Sequence, residues 1–241
     1  MTEIIAHRGS SGTHPENTMA AFIEAERVKA DGLEFDVHMT KDERLVVIHD
    51  ERVDRTTNGN GWVKAFTLKE LKKLNAGTAK YSSEKIPTLK EVFGWAAGNN
   101  LRLNIELKTG LIDYPKLEER VIDMIKQFGL ENRVILSSFN HYSIEKIHKI
   151  DSRIETAILF MEGLFEPWKY ARSIGASALH CHRRAAAPEM IQGAVRAKMA
   201  IRLFTVNKKA DLQRFMNSGC TGIFTDWPER AVHARKTLKK T

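Results

Sequence analysis

The stretch VILSSFNHYSIEKIHKIDSRIETAILF, Val134 to Phe160, decides the fold. It opens on a β-branched run at Val134 to Leu136, passes through an amphipathic segment from His141 to Ile150 and closes on a second apolar run from Ile154 to Phe160. A strand, a helix and a strand in that order form a βαβ unit, in which the two strands lie parallel and the helix covers one face.

The same alternation extends in both directions. Strand-like runs recur at Glu3 to Ala6, Gly32 to His38, Arg102 to Leu107, Ser177 to His180, Ala200 to Val206 and Gly222 to Thr225. Amphipathic segments follow at Asn17 to Ala30, Leu89 to Ala97, Pro115 to Phe128, Pro167 to Ile174, Pro188 to Lys198, Ala210 to Met216 and Glu229 to Leu238. With the opening stretch these make eight strands and eight helices, which close most naturally into a TIM (β/α)8 barrel; an open doubly wound sheet is the alternative. Thr40 to Pro87 breaks the rhythm between strand two and its helix. It holds a short strand at Leu45 to Ile48, a turn-rich Asn58 to Gly61 and a helix at Leu68 to Leu74. The expectation is one domain over residues 1–241, with this insertion, at about 40–87, forming a cap on the C-terminal side of the barrel.

Composition sets broad limits. A chain with 42% hydrophobic and 28% charged residues belongs to the globular class and excludes disordered or collagen-like chains. No apolar run approaches the roughly 18 residues of a membrane helix, and the N-terminus has no basic segment leading into an apolar one, which points to a cytoplasmic protein without stable membrane anchoring. Cys181 and Cys220 are too few and too far apart for a disulfide framework and read as free thiols. The net charge of +8 suits an anionic substrate, nucleic acid or acidic lipid, and part of it sits in the tail from Arg235 to Lys240, so it does not select a partner.

Chemistry concentrates at the strand ends. Residues two apart on a strand share a side, so Glu34 and Asp36 present two carboxylates together and Glu106 stands beside the Lys108 cation. Three carboxylates in one place require a cation, and an all-oxygen set suits Mg²⁺ or Ca²⁺, with Mn²⁺ also acceptable, better than zinc. His7 and His49 follow other strands and can exchange protons near neutrality. His180-Cys181-His182 lacks further ligands at zinc spacing.

His7-Arg8-Gly9, Pro15-Glu16-Asn17-Thr18, Glu34-x-Asp36, His49-Asp50, Glu106-x-Lys108, Thr205-Val206-Asn207 and Thr225-Asp226 occur in an order that resembles the glycerophosphodiester phosphodiesterase family. The resemblance spans His7 to Asp226 and rests on the ordered set. It implies a TIM barrel with a small insertion, one divalent metal, and hydrolysis of glycerophosphodiesters to sn-glycerol 3-phosphate and an alcohol. The sequence departs from the family pattern at Phe204, often a Trp, and in having Trp227 after Asp226, which bears on the shape of the pocket.

On that basis the metal would be held by Glu34, Asp36 and Glu106, with His7 and His49 as general acid and base in either order. Arg8 would grip phosphoryl oxygens with its planar fork and Lys108 would add a point charge, although an ordinary ion pair with Glu106 explains Lys108 almost as well. Phe204, Asn207 and His182 are candidate substrate contacts, with helix capping a competing role for Asn207. Asp50 would orient His49, Glu16 would brace its loop, and His38 would line the site or support a ligand. Asn17 or Thr18 would cap the first helix. Two further functions fit less of the pattern. A phospholipase D-like or phosphoinositide-cleaving enzyme would need a membrane-docking apolar loop, and none is visible in the sequence. A basic non-catalytic module would bind acidic partners without turnover. The favoured partner is a small-molecule glycerophosphodiester rather than nucleic acid; the oligomeric state is not written in the sequence.

Overall fold

The computed structural model describes residues 1–78, 81 and 83–238. Within them the chain runs β1 (Glu3–Ala6), α1 (Met19–Arg27), β2 (Gly32–Met39), β3 (Leu45–Val47), α2 (Leu68–Leu71), α3 (Leu89–Ala96), β4 (Arg102–Leu107), α4 (Leu117–Phe128), β5 (Val134–Ser138), α5 (His141–Ile150), β6 (Glu155–Phe160), α6 (Pro167–Ser173), β7 (Ala178–His182), α7 (Pro188–Arg196), β8 (Ala200–Phe204), α8 (Lys209–Met216), β9 (Gly222–Thr225) and α9 (Pro228–Leu238). The last residues of the basic tail, from Lys239 on, lie outside the described residues, as do Ala79, Lys80 and Ser82 of the insertion.

Parallel pairing runs β1-β9-β8-β7-β6-β5-β4-β2 and returns from β2 to β1, so the sheet is a closed barrel and the open doubly wound alternative is excluded. Closure depends on β1, which pairs on one side with β9 from Glu3 opposite Gly222 to Ala6 opposite Thr225, and on the other side with β2. β3 adds to β2 antiparallel at the barrel's edge.

Every residue of β2 is buried because both faces of the strand are covered. Leu33, Phe35 and Val37 join the large apolar core between barrel and helices. Burying each such side chain is worth about 1.5–3 kcal/mol. The other face carries Glu34, Asp36 and His38, all buried. Inside the barrel Ile135, Ala157 and Ala178 make a small apolar layer. At its N-terminal end Arg202 bridges Glu3 and Glu155 at 3.0 and 2.8 Å, so the buried guanidinium is paired.

Local chemistry sets the ends. Thr18, not Asn17, caps α1 by accepting from the Ala21 amide, and α1 starts at Met19 because Asn17 adopts a positive φ of 56°. Thr88 and Glu91 form a capping box at α3, and Asn140 caps α5. α4 begins at Leu117 rather than Pro115, and Gly129 ends it in the left-handed region. In the insertion, Val46, Ile48, Val53, Val63, Leu71, Ala76 and Ile86 pack into a second, smaller core. No helix among the described residues is long and apolar enough to cross a membrane.

Candidate active site

β1 ends at Ala6 and the chain turns sharply through His7, Arg8 and Gly9. Gly9 has φ +82°, and a Cβ there would stand 2.6 Å from that of Ala21, so only glycine fits this approach to α1. The turn sets His7 and Arg8 over the C-terminal mouth. Arg8 donates its backbone amide to Glu34 at 2.8 Å and Nη1 to Glu16 at 2.8 Å. Its Nε, 3.7 Å from Asp36, is buried without a hydrogen-bond acceptor.

β2 and β4 pair with Asp36 opposite Glu106, which brings the carboxylates together across the ladder. One oxygen from each of Glu34, Asp36 and Glu106 lies within 4.8 Å of the others. Lys108 Nζ reaches Glu106 at 2.8 Å and stands 3.7 Å from Asp36 Oδ1, while Asn17 donates to Asp36 Oδ2 at 2.9 Å. Burial, and then repulsion from Asp36, pushes the Glu34 carboxyl up to about 8; the same two causes raise Glu106. Burial acts on Asp36 in the same sense, but Lys108, His49 and Arg8 outweigh it and hold this carboxyl below its usual range. Asp36 Oδ1 is buried with no hydrogen-bond donor. An orphaned carboxylate oxygen facing two further carboxyls fits a divalent cation with oxygen ligands.

Two histidines flank this cluster, each anchored the same way. His7 Nδ1 bonds Asp226 Oδ1 at 2.7 Å, and His49 Nδ1 bonds Asp50 Oδ1 at 2.6 Å. Burial opposes charge on His7, but its bond to Asp226 prevails and raises its pKa, with Glu34 adding to the effect when ionised. Asp226 is held in turn by Ser11 and by Asn207, whose Nδ2 donates at 2.5 Å. The Asn207 amide therefore faces Asp226, and its Oδ1 accepts from the Thr225 hydroxyl and the Asp226 amide.

A cavity of about 220 Å³ joins His7, Arg8, Glu34, His49, Asn104 and Glu106 to an apolar wall of Phe139, Leu159, Met161, Phe204 and Phe224. His182 stands edge-on to Phe204, ring centroids 5.8 Å apart, and accepts from the Arg184 amide rather than lining this cavity. His38 lies behind the site, between the Tyr114 hydroxyl at 2.9 Å and the His49 carbonyl at 3.1 Å; burial lowers its pKa to about 4. Trp227 packs away from the cavity, against Gly12 and under Arg230. Glu16 and Asp50 share the Arg55 guanidinium. Sequence reasoning did not single out Arg55, and it left Asp226 without a role, although Asp226 directly follows a barrel strand, where loops build active sites.

A closed α/β barrel with buried carboxylates and carboxylate-anchored histidines at its C-terminal mouth defines an enzyme. The model of the Glycerophosphoryl diester phosphodiesterase family matches residues 7–230. A glycerophosphodiester phosphodiesterase of Caldanaerobacter subterraneus subsp. tengcongensis is 46% identical over 235 residues, covering 96% of this chain and 97% of that one. One from Bacillus altitudinis is 42% identical, covering 99% of this chain and all of the other. Among solved structures, a phosphodiesterase of Oleispira antarctica in complex with the product sn-glycerol-3-phosphate superposes with a TM-score of 0.92 at 28% identity, covering 98% and 97% of the two chains. The chain belongs to the glycerophosphoryl diester phosphodiesterase family and is a phosphoric diester hydrolase.

Proposed function

We propose that the protein hydrolyses glycerophosphodiesters to sn-glycerol 3-phosphate and an alcohol, with Glu34, Asp36 and Glu106 holding one divalent ion, Mg²⁺ or Ca²⁺. The observation that carries this reading is a single cavity shared by two histidines, each fixed through Nδ1 by its own carboxylate, and by carboxylates of the acidic cluster. The product-bound Oleispira relative supports the product named. When bound, the ion supplies fixed positive charge against the oxygens of the diester as charge builds on them.

The chain's own groups do the rest. Arg8, with its Nε free of any acceptor, orients a phosphoryl oxygen, and Lys108 adds positive charge beside Asp36 and Glu106. Because Nδ1 of each imidazole is held by a carboxylate, Nε2 is the nitrogen left for proton transfer. One Nε2 takes a proton from the attacking oxygen, that of water or of the substrate's own glycerol hydroxyl, and the other gives one to the leaving alcohol. In the second case water then opens the cyclic phosphate to glycerol 3-phosphate. Asp226 and Asp50 hold the rings, Asn207 holds Asp226, Glu16 braces Arg8, and His38 supports His49 from behind. Phe204 walls the organic part of the substrate, with His182 packed against it. We assign residues 1–241 to one barrel domain capped by about 40–87. The two buried thiols, both unpaired, suit the cytoplasm.

The test is release of glycerol 3-phosphate from glycerophosphocholine, with a chelator control and Mg²⁺, Ca²⁺ and Mn²⁺ compared. Turnover that a chelator abolishes and metal restores is expected; binding without turnover would overturn the reading.

A further inference from the structure

The loops that follow β4, β5 and β6 carry six large apolar side chains into solvent. Leu111 lies between β4 and α4, Phe139 directly after β5, Tyr142 in the first turn of α5, and Met161, Leu164 and Phe165 between β6 and α6. Phe165 is 92% exposed and Tyr142 87%. β6, β5 and β4 are neighbours in the barrel, so these loops stand side by side at the mouth. Phe139 and Met161 also wall the cavity, so the apolar surface is continuous from the site to the rim. Contiguous apolar surface of this kind, kept in water at a cost, marks an interaction site.

The charges around it indicate what covers it. In the next loops around the barrel, after β7 and β8, Arg184, Lys208 and Lys209 are exposed and make no ion pair among the described residues, and Lys116 stands exposed beyond Leu111. The exposed acids of these loops and of the first helical turns that follow them are Asp113, Glu162 and Glu189, against Lys116, Arg184, Lys208 and Lys209. An apolar centre bordered by cations complements a bilayer with anionic headgroups. Nucleic acid would satisfy the cations and leave Leu111, Leu164 and Phe165 in water.

We propose that the mouth of the barrel docks reversibly on an anionic bilayer, with Leu111, Leu164 and Phe165 entering the interface and Arg184, Lys208 and Lys209 meeting the headgroups. Docking requires no hydrolysis, so it can be tested with no substrate present and judged separately from the proposed reaction. Cosedimentation with phosphatidylcholine vesicles, with and without phosphatidylglycerol, is the experiment. Saturable binding that needs phosphatidylglycerol and weakens with salt is expected. The Leu164→Ser/Phe165→Ser double variant should weaken it by roughly tenfold or more. An Arg184→Glu/Lys208→Glu variant should do the same, with melting temperature and glycerophosphocholine turnover unchanged in both. No binding, binding that either variant leaves unaltered, or a dimer that Phe165→Ser disperses would overturn the proposal.

Discussion

Arg55 grips Asp50 through Nε and Nη2, at 2.7 and 2.9 Å. The same guanidinium reaches Glu16 through two bonds of 2.7 Å, so one cap side chain stands behind both the partner of His49 and the partner of Arg8. That bond holds the Asp50 carboxyl well below its usual range, which keeps it ionised against His49. Arg55→Ala should lower kcat on the order of 10- to 100-fold, as outer-shell losses do, with less change in KM. Arg55→Lys, a single cation able to serve one carboxylate well, should recover part of the rate. Steady-state kinetics with a melting curve for each variant checks this; equal loss in both variants without a drop in Tm would argue against the tie.

Asp226→Asn should spare the fold and damage the chemistry. His7 Nδ1 would face an amide that no longer favours the charged ring, and the Asn207 amide would lose its anion. Loss of one orienting carboxylate from an acid-base pair predicts a kcat about 10²-fold lower. The ¹⁵N shifts of the His7 ring report the tautomer directly. An unchanged tautomer with unchanged kcat would remove Asp226 from the mechanism.

Cation binding should release a proton at pH 7. With no cation bound, Glu34 sits up to about 8 and holds its proton at neutrality, whereas a bound divalent ion requires the carboxylate. Metal affinity should therefore rise with pH and level off above about 8. Calorimetric titration in buffers of different ionisation enthalpy counts the protons; none released at pH 7 would contradict the assignment of Glu34 to the ion.

At the opposite end of the barrel, His180 predicts acid sensitivity of the fold. Burial, followed by the charges of Arg202 and Arg102, holds its pKa well below 6.5, so the folded ring stays neutral while the unfolded one takes up a proton. The unfolded state then binds more protons below pH 6.5. This contribution to stability is complete above that pH and falls by up to about 1.4 kcal/mol per pH unit as pH drops. Urea unfolding from pH 7.5 to 5.5 should show a shallower pH slope for His180→Gln than for the unaltered chain. Identical slopes would sink the assignment.

The sequence stated the barrel clearly because each strand and helix has local signals. α5 runs from His141 to Ile150 as its periodicity predicts, and Glu34 and Asp36 share a side because a strand repeats every two residues. Residue pairs that depend on closure were not legible. His7 and Asp226 are 219 positions apart and meet only because β1 lies between β9 and β2. Arg55 reaches the site from an insertion whose packing no strand period describes. The apolar rim is hard to read from sequence for a related reason: it is assembled from single residues on three separate segments that only the barrel brings side by side.

The seam where β1 meets β9 joins two strands separated in sequence by all the rest of the barrel. Until β9 has emerged, His7 has no counter-ion and the barrel cannot shut, so the nascent chain has no assembled catalyst. Emergence of β9 is what lets the barrel shut, and a copy truncated before that strand lacks both the closing seam and the carboxylate that holds His7.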